Sequence, residues 1–129
     1  MIKLDGVELY IEAPKNGVIM MDIDGAVGKT YAGSLLNSYA QKYPGDALVL
    51  TYDAHKTTDA YIQIISNFHG TYLFLDRYDL YKDDRITELL NTMNCYRFVD
   101  SKDCRFWNKT FPILCETILE KDKVTIKEI

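Results

Sequence analysis

The chain has 129 residues, of which 47% are hydrophobic and 26% charged, and its formal net charge at pH 7 is −4. This length suits one compact domain, so we expect residues 1–129 to form a single domain. Acidic and basic residues are interspersed, which argues against nucleic acid as a main ligand, because such proteins carry clustered lysine and arginine. No apolar run approaches the roughly 18 residues that span a bilayer, so we expect no membrane partner.

The three cysteines are odd in number and widely spaced, at Cys95, Cys104 and Cys115. This spacing fits neither a disulfide framework nor the close pairs of a structural zinc site. We therefore interpret them as free thiols in a reducing compartment. Residues 1–10 carry charged side chains and lack the apolar core of a signal peptide, so the sequence predicts a cytoplasmic protein.

The first elements in chain order predict a hairpin, a buried strand and a helix. Ile2–Leu4 and residues 7–11 flank Asp5-Gly6, a dipeptide that readily adopts the positive φ angles of a tight turn. Residues 18–23 are an apolar run that enters a glycine-containing loop, which is typical of a strand buried on both faces. Apolar residues at helical spacing then predict a helix over residues 30–42.

The rest of the chain continues this alternation of strand and helix. We predict strands over residues 47–52, 71–75 and 96–99, helices over 58–68 and 83–93, and a closing antiparallel hairpin over 117–119 and 124–126. Strands that alternate with helices pack as a parallel sheet with helices on its faces. The predicted fold class is therefore α/β, a small three-layer domain with a mainly parallel sheet, plus β-hairpins at both termini.

The most informative motif is Asp24-Gly25-Ala26-Val27-Gly28-Lys29-Thr30, which lies between a predicted strand and helix. Backbone N–H groups and a helix N-terminus at such a junction can surround an anion. Gly28 would let the β-phosphate approach the backbone closely, and Lys29 would reach the oxygens of the β- and γ-phosphates. Thr30 would offer its hydroxyl to Mg²⁺. The motif resembles the Walker A loop of P-loop nucleoside triphosphatases, which implies phosphate binding by Gly25, Ala26, Val27, Gly28, Lys29 and Thr30.

The motif departs from the family pattern at its first glycine, where this chain has Ile23. The run is also similar to the corresponding stretch of Rho-type small GTPases, but the chain lacks their D-x-x-G switch motif. Their guanine-reading N-K-x-D motif is matched only by Asn108-Lys109-Thr110-Phe111, in which Phe replaces the Asp. The resemblance therefore implies a nucleoside triphosphate without guanine specificity, and ATP with Mg²⁺ is the default expectation.

A second element supports the resemblance. Tyr72–Leu75 is an apolar run that ends in Asp76, similar to a Walker B strand, and this implies that Asp76 binds Mg²⁺ together with Thr30. Many P-loop ATPases have a carboxylate at the next position, where this chain has Arg77, and Asp79 is the nearest substitute. Loss of a water-orienting group leaves binding intact and slows turnover. We thus expect one nucleotide-binding domain over residues 1–129 with weak hydrolysis, completed by a partner protein or a second copy of the chain.

Two alternatives remain open. Asp22-Ile23-Asp24-Gly25 is similar to the first motif of haloacid dehalogenase-type phosphatases, in which Asp22 would be the nucleophile and Asp24 the acid/base. That interpretation leaves Gly28-Lys29-Thr30 unexplained. The other alternative is a non-catalytic adaptor that keeps a degenerate P-loop scaffold, for which Ile23 and Arg77 are the sequence support.

Overall fold

The computed structural model describes residues 1–21, 26–102, 111 and 113–129, and for residues 26–28 it describes the backbone alone. Within these residues three α-helices occur, α1 (Ala26–Lys42), α2 (Thr58–Ser66) and α3 (Asp84–Thr92). Eight strands accompany them: β1 (Ile2–Leu4), β2 (Val7–Glu12), β3 (Ile19–Met21), β4 (Ala47–Leu50), β5 (Tyr72–Leu75), β6 (Tyr96–Val99), β7 (Ile113–Glu120) and β8 (Lys123–Glu128).

All eight strands belong to one mixed sheet with the order β1-β2-β8-β7-β3-β6-β5-β4. β1 pairs with β2 and β7 with β8 in antiparallel fashion, whereas the other neighbours in the sheet are parallel. The predicted fold class, a three-layer domain with a mainly parallel sheet plus terminal β-hairpins, is wrong, because the eight strands form one mixed, curled sheet that includes both hairpins. The two ends of the chain pair with each other, because Leu9 of β2 lies in register with Val124 of β8 and both side chains are fully buried.

The sheet curls around α1 as a half-barrel. Ala32, Leu35 and Leu36 of α1 pack against an apolar face to which every described strand contributes. This shared burial explains why the terminal strands join the sheet, since removing their apolar side chains from water is the main favourable term available to them. The strand residues of this core are Ile2, Leu4, Leu9, Ile19, Met21, Ala47, Tyr72, Phe74, Phe98, Ile113, Cys115, Val124 and Ile126.

The second core lies between the central strands and the pair of helices α2 and α3, on the opposite face. Tyr61 and Ile65 of α2 and Ile86 and Leu90 of α3 are buried there. Both helices begin at a side-chain cap: the Thr57 Oγ1 accepts a hydrogen bond from the Ala60 N–H, and Asp83 caps α3 in the same manner. Across the described ranges, none of the helices combines the length and hydropathy required to cross a bilayer.

The parallel arrangement of β3, β4, β5 and β6 brings their carboxyl ends to one edge of the sheet. Thr51, Asp76 and Asp100 directly follow β4, β5 and β6. The amino-terminal part of α1 lies over the same edge, because α1 follows β3 after a short connection. Ligands of open parallel sheets commonly bind at this edge, which makes it the expected location of a binding site.

Candidate functional site at the carboxyl edge of the sheet

A pocket of about 320 Å³ opens between α1 and the carboxyl ends of β4, β5 and β6. Its floor is apolar, formed by Val49 and Phe74, and its remaining walls are mostly polar. Gly33 places the backbone of α1 against this floor, since a Cβ at this position would make ordinary van der Waals contact with the Phe74 ring at 3.4 Å. The polar residues of the lining are Lys29, Thr30, Ser34, Asn37, Thr51, Asp76 and Asp100.

The dominant interaction in the pocket is an ion pair between α1 and β6. The Lys29 Nζ lies 2.7 Å from the Asp100 Oδ1, and each residue is only 8% exposed. Burial removes both groups from water at a cost of several kcal/mol per ion, which their mutual attraction offsets. Lys29 therefore already has an anionic partner within the protein.

Asp76 places a second carboxyl group beside this pair. Burial raises the pKa of Asp76, and a hydrogen bond and the charge of the Asp100 carboxyl raise it further. The positive charges of Arg77 and Lys29 act in the opposite direction on the same pKa. Two carboxyl groups that interact in this way resist carrying two full negative charges unless a cation is near. Added positive charge in the pocket would therefore favour the ionised form of Asp76.

Arg77 follows Asp76 in a strained conformation. Its φ and ψ angles are both 50°, in the left-handed region that non-glycine residues rarely adopt. Its guanidinium donates two hydrogen bonds to Asp79, from Nε to Oδ1 at 3.0 Å and from Nη2 to Oδ2 at 2.9 Å. This bidentate pair lowers the pKa of Asp79 and occupies both of its oxygens. Asp79 is accordingly held by Arg77 and is not one of the residues that line the pocket.

Two tyrosines support the strand ends from the opposite face of the sheet. The Tyr81 hydroxyl donates to the carbonyl oxygens of Leu50 and Asp76, at 3.2 and 2.9 Å. The Tyr61 hydroxyl donates to the Thr51 carbonyl at 3.0 Å, and the two rings stack with centroids 4.6 Å apart. These contacts fix the backbone from which Thr51 and Asp76 enter the pocket.

The predicted site residues fall into two groups. Lys29, Thr30 and Asp76 line the same pocket. Ala26, Val27 and Gly28 form the start of α1, which begins four residues before the predicted start at residue 30, and their side chains are outside the description. The second group lies outside the described residues and consists of Asp22, Ile23, Asp24 and Gly25.

Asp100 is the main site residue that the sequence analysis missed. It follows the strand Tyr96–Val99, which is apolar except for Arg97, as Asp76 follows Tyr72–Leu75, so the two strands carry similar signals. Asn37 was also missed, although its spacing of eight residues from Lys29 places both on one face of a helix. The repeated pattern of an apolar strand ending in Asp was therefore sufficient to indicate a pair of carboxylates.

The donor set suits a hard cation. Among the described residues no group of three or more His, Cys, Asp or Glu side chains is arranged to hold a metal ion. Asp76, Asp100 and the Thr30 hydroxyl nevertheless supply oxygen donors around one pocket. Mg²⁺ is commonly bound through one or two protein carboxylates, with waters and substrate phosphates completing the shell. These residues fit Mg²⁺ that arrives with a phosphate ligand better than a dedicated protein cage.

Comparisons with known proteins give no family assignment. No family model, no curated protein and no solved structure matches the chain.

Proposed function

We propose that the chain binds a nucleoside triphosphate at this pocket, with ATP and Mg²⁺ as the ligands to test first. The observation that carries the proposal is the convergence of two separate sequence motifs. Lys29 and Thr30 come from the segment that resembles a Walker A loop, Asp76 comes from the segment that resembles a Walker B strand, and all three line one pocket. The position of the pocket at the carboxyl ends of parallel strands supports the same conclusion.

The charges of the pocket make binding dependent on Mg²⁺. Asp76 and Asp100 contribute two carboxyl groups and Lys29 one ammonium, so a triphosphate alone would meet net repulsion. Asp76 and Thr30 would hold Mg²⁺, which supplies the charge that neutralises both the carboxylates and the phosphates. We therefore expect affinity for ATP to fall by at least about tenfold, or about 1.4 kcal/mol, when Mg²⁺ is removed.

Hydrolysis is expected to be slow. The position that follows Asp76 holds Arg77, and the nearest alternative carboxylate, Asp79, is paired with that arginine. Turnover by phosphoryl transfer requires a positioned water as well as bound phosphates. A partner protein or a second copy of the chain would therefore be needed to complete a hydrolytic site.

We extend the proposal to the cytoplasm as the location. Cys95 and Cys115 are both free and buried, as is typical of a protein kept in a reducing compartment. ATP and Mg²⁺ are abundant in the same compartment. Fractionation of the native protein, followed by detection with an antibody, is the direct measurement of this location.

The experiment for the binding proposal is thermal unfolding with Mg²⁺-ATP, Mg²⁺-GTP, ATP with a chelator, and inorganic phosphate. Ligand at 100 times its Kd adds about 2.7 kcal/mol of stability, which for a domain of this size raises the Tm on the order of 10 °C. The variants are Lys29→Met and, as the matched control, Lys42→Met at the exposed last turn of α1. We expect Lys42→Met to keep the ligand-induced shift and Lys29→Met to lose it.

The readout is the difference in Tm with and without ligand inside each variant. This choice is necessary because Lys29→Met also removes the ion-pair partner of Asp100 and lowers the baseline stability. If millimolar Mg²⁺-ATP and Mg²⁺-GTP both leave the Tm of the unmodified protein unchanged, the nucleotide proposal is wrong. The adaptor interpretation would then be the one to pursue.

A further inference from the structure

The Lys29–Asp100 ion pair has a geometry that favours exchange of its partners. The two charged atoms lie 2.7 Å apart, but within the described chain no hydrogen-bond donor is aligned on the Asp100 Oδ1. Among the described contacts, the pair is therefore held by charge attraction at contact distance. Phosphate oxygens that approach along the N–H directions of Lys29 could replace this carboxylate.

Asp100 and Asp76 differ in their relation to Lys29, although both are carboxylates of the same pocket. Asp100 is in direct contact with the Lys29 ammonium at ion-pair distance. Asp76 interacts with Lys29 through its charge alone, among the described contacts, and its carboxyl group also interacts with that of Asp100. The pocket thus contains a carboxylate that holds the lysine and a neighbouring carboxylate that does not.

We propose that Asp100 competes with the phosphate groups of the ligand for the Lys29 ammonium and thereby limits the affinity of the pocket for anions. This inference rests on the proposed function, because it concerns the lysine that would bind the phosphates. Ligand binding then requires Lys29 to leave Asp100, and the free energy of that separation is subtracted from the affinity. A charged competitor inside the site also favours ligands that bring a cation for Asp100 over bare anions.

The test compares two substitutions that remove the same charge from the same pocket. Asp100→Asn frees Lys29, whereas Asp76→Asn removes one negative charge and leaves the Lys29–Asp100 pair in place. Affinity for inorganic tripolyphosphate is measured by isothermal titration calorimetry at pH 7.5 with a chelator, so that metal binding does not contribute. We expect Asp100→Asn to bind at least about tenfold more tightly than Asp76→Asn, or about 1.4 kcal/mol.

A further variant shows whether the gain passes through the lysine. Lys29→Met/Asp100→Asn should bind tripolyphosphate no more tightly than Lys29→Met, because the competitor matters only when the ammonium is present. Circular dichroism and urea unfolding establish that each variant is folded, and Asp100→Ser replaces Asp100→Asn if the latter fails to fold. Equal affinities of Asp100→Asn and Asp76→Asn, within about threefold, would overturn the competitor role.

The two proposals fail in different ways. If Mg²⁺-ATP binds the unmodified protein but Asp100→Asn gains no affinity for tripolyphosphate over Asp76→Asn, the competitor role is wrong and the nucleotide proposal stands. If neither the unmodified protein nor Asp100→Asn binds tripolyphosphate or Mg²⁺-ATP at millimolar concentration, both proposals are wrong.

Discussion

Removal of the Lys29 ammonium should destabilise the fold through Asp100. In Lys29→Met the new side chain fills a volume similar to that of lysine. The main change is therefore that the Asp100 carboxylate, in a residue only 8% exposed, loses its counter-charge. The nearby Asp76 carboxyl adds repulsion. Removing one partner of a buried ion pair typically costs about 3–5 kcal/mol, and because the pocket is open at one side we expect a value near 3 kcal/mol, the lower end of that range.

Urea unfolding at pH 7.5 measures this loss. With an m value of about 2 kcal/mol/M, a loss of about 3 kcal/mol lowers the midpoint by about 1.5 M. Lys42→Met, at the exposed end of the same helix, should change stability by less than about 0.5 kcal/mol. The double variant Lys29→Met/Asp100→Asn should recover at least about half of the loss, because the unpaired charge is gone.

The reasoning is refuted by either of two results. The first is a urea midpoint of Lys29→Met that is lowered no more than that of Lys42→Met, which would mean that the buried pair contributes no net stability. The second is a double variant Lys29→Met/Asp100→Asn that is no more stable than Lys29→Met. This would mean that the loss of stability comes from repacking of α1 and not from the charge left on Asp100.

Three further predictions concern contacts at both edges of the sheet. Tyr81→Phe removes the hydroxyl proton that is shared between two strand-end carbonyls and should lower the free energy of unfolding by about 1–3 kcal/mol, measured in urea. Hydrogen bonds from Thr71 and Tyr39 lower the pKa of Asp46 below its usual value near 3.8. The ionised Asp46 therefore stabilises the fold above pH 3.8, and this stabilisation is lost as the pH falls through the lowered pKa. Tyr39→Phe should flatten the dependence of the urea midpoint on pH below about 4. Gly70→Ala should cost more than about 1 kcal/mol, because its Cβ would lie 2.6 and 2.7 Å from two backbone oxygens, and a thermal melt should show a clear decrease in Tm.

The alternation of strand and helix in the middle of the chain was predictable from local patterns. β4, α2, β5, α3 and β6 each occupy the predicted position to within a few residues. Their apolar periodicity and the caps at Thr57 and Asp83 are local properties, read directly from neighbouring residues. The convergence of Lys29 and Asp76 on one edge follows from the parallel arrangement of those strands.

The assembly of the sheet was not predictable in the same way. The two hairpins are visible in the sequence, but the pairing of β2 with β8 joins residues more than a hundred positions apart. Such pairing depends on which apolar faces are buried together around α1, and local periodicity carries no record of it. The sequence therefore indicated two separate additions where the structure has one continuous sheet.

Arg97 illustrates a second kind of information that local patterns lack. A charged residue inside a short strand suggests a solvent-facing position, yet Arg97 is 2% exposed. Its guanidinium donates to the carbonyl oxygens of Cys95, Leu90 and Lys15. Two of these acceptors are near Arg97 in sequence, but Lys15 lies 82 residues away, so the burial of Arg97 becomes understandable only when the fold is known.

The same ion pair links the stability of the domain to its proposed ligand. Lys29 stabilises the buried Asp100 carboxylate, and the proposed function requires that lysine to interact with phosphates instead. When Lys29 moves from Asp100 to a phosphate, the Asp100 carboxylate loses its counter-charge. No buried charge is then left unpaired if Asp100 and Asp76 gain a cation in the same event. A triphosphate that arrives with Mg²⁺ meets this condition, whereas a bare anion does not. Under the proposed function, the arrangement of two carboxyl groups and one ammonium would favour a metal-bound phosphate ligand over a bare anion. A binding affinity for ATP that does not depend on Mg²⁺ would contradict this expectation.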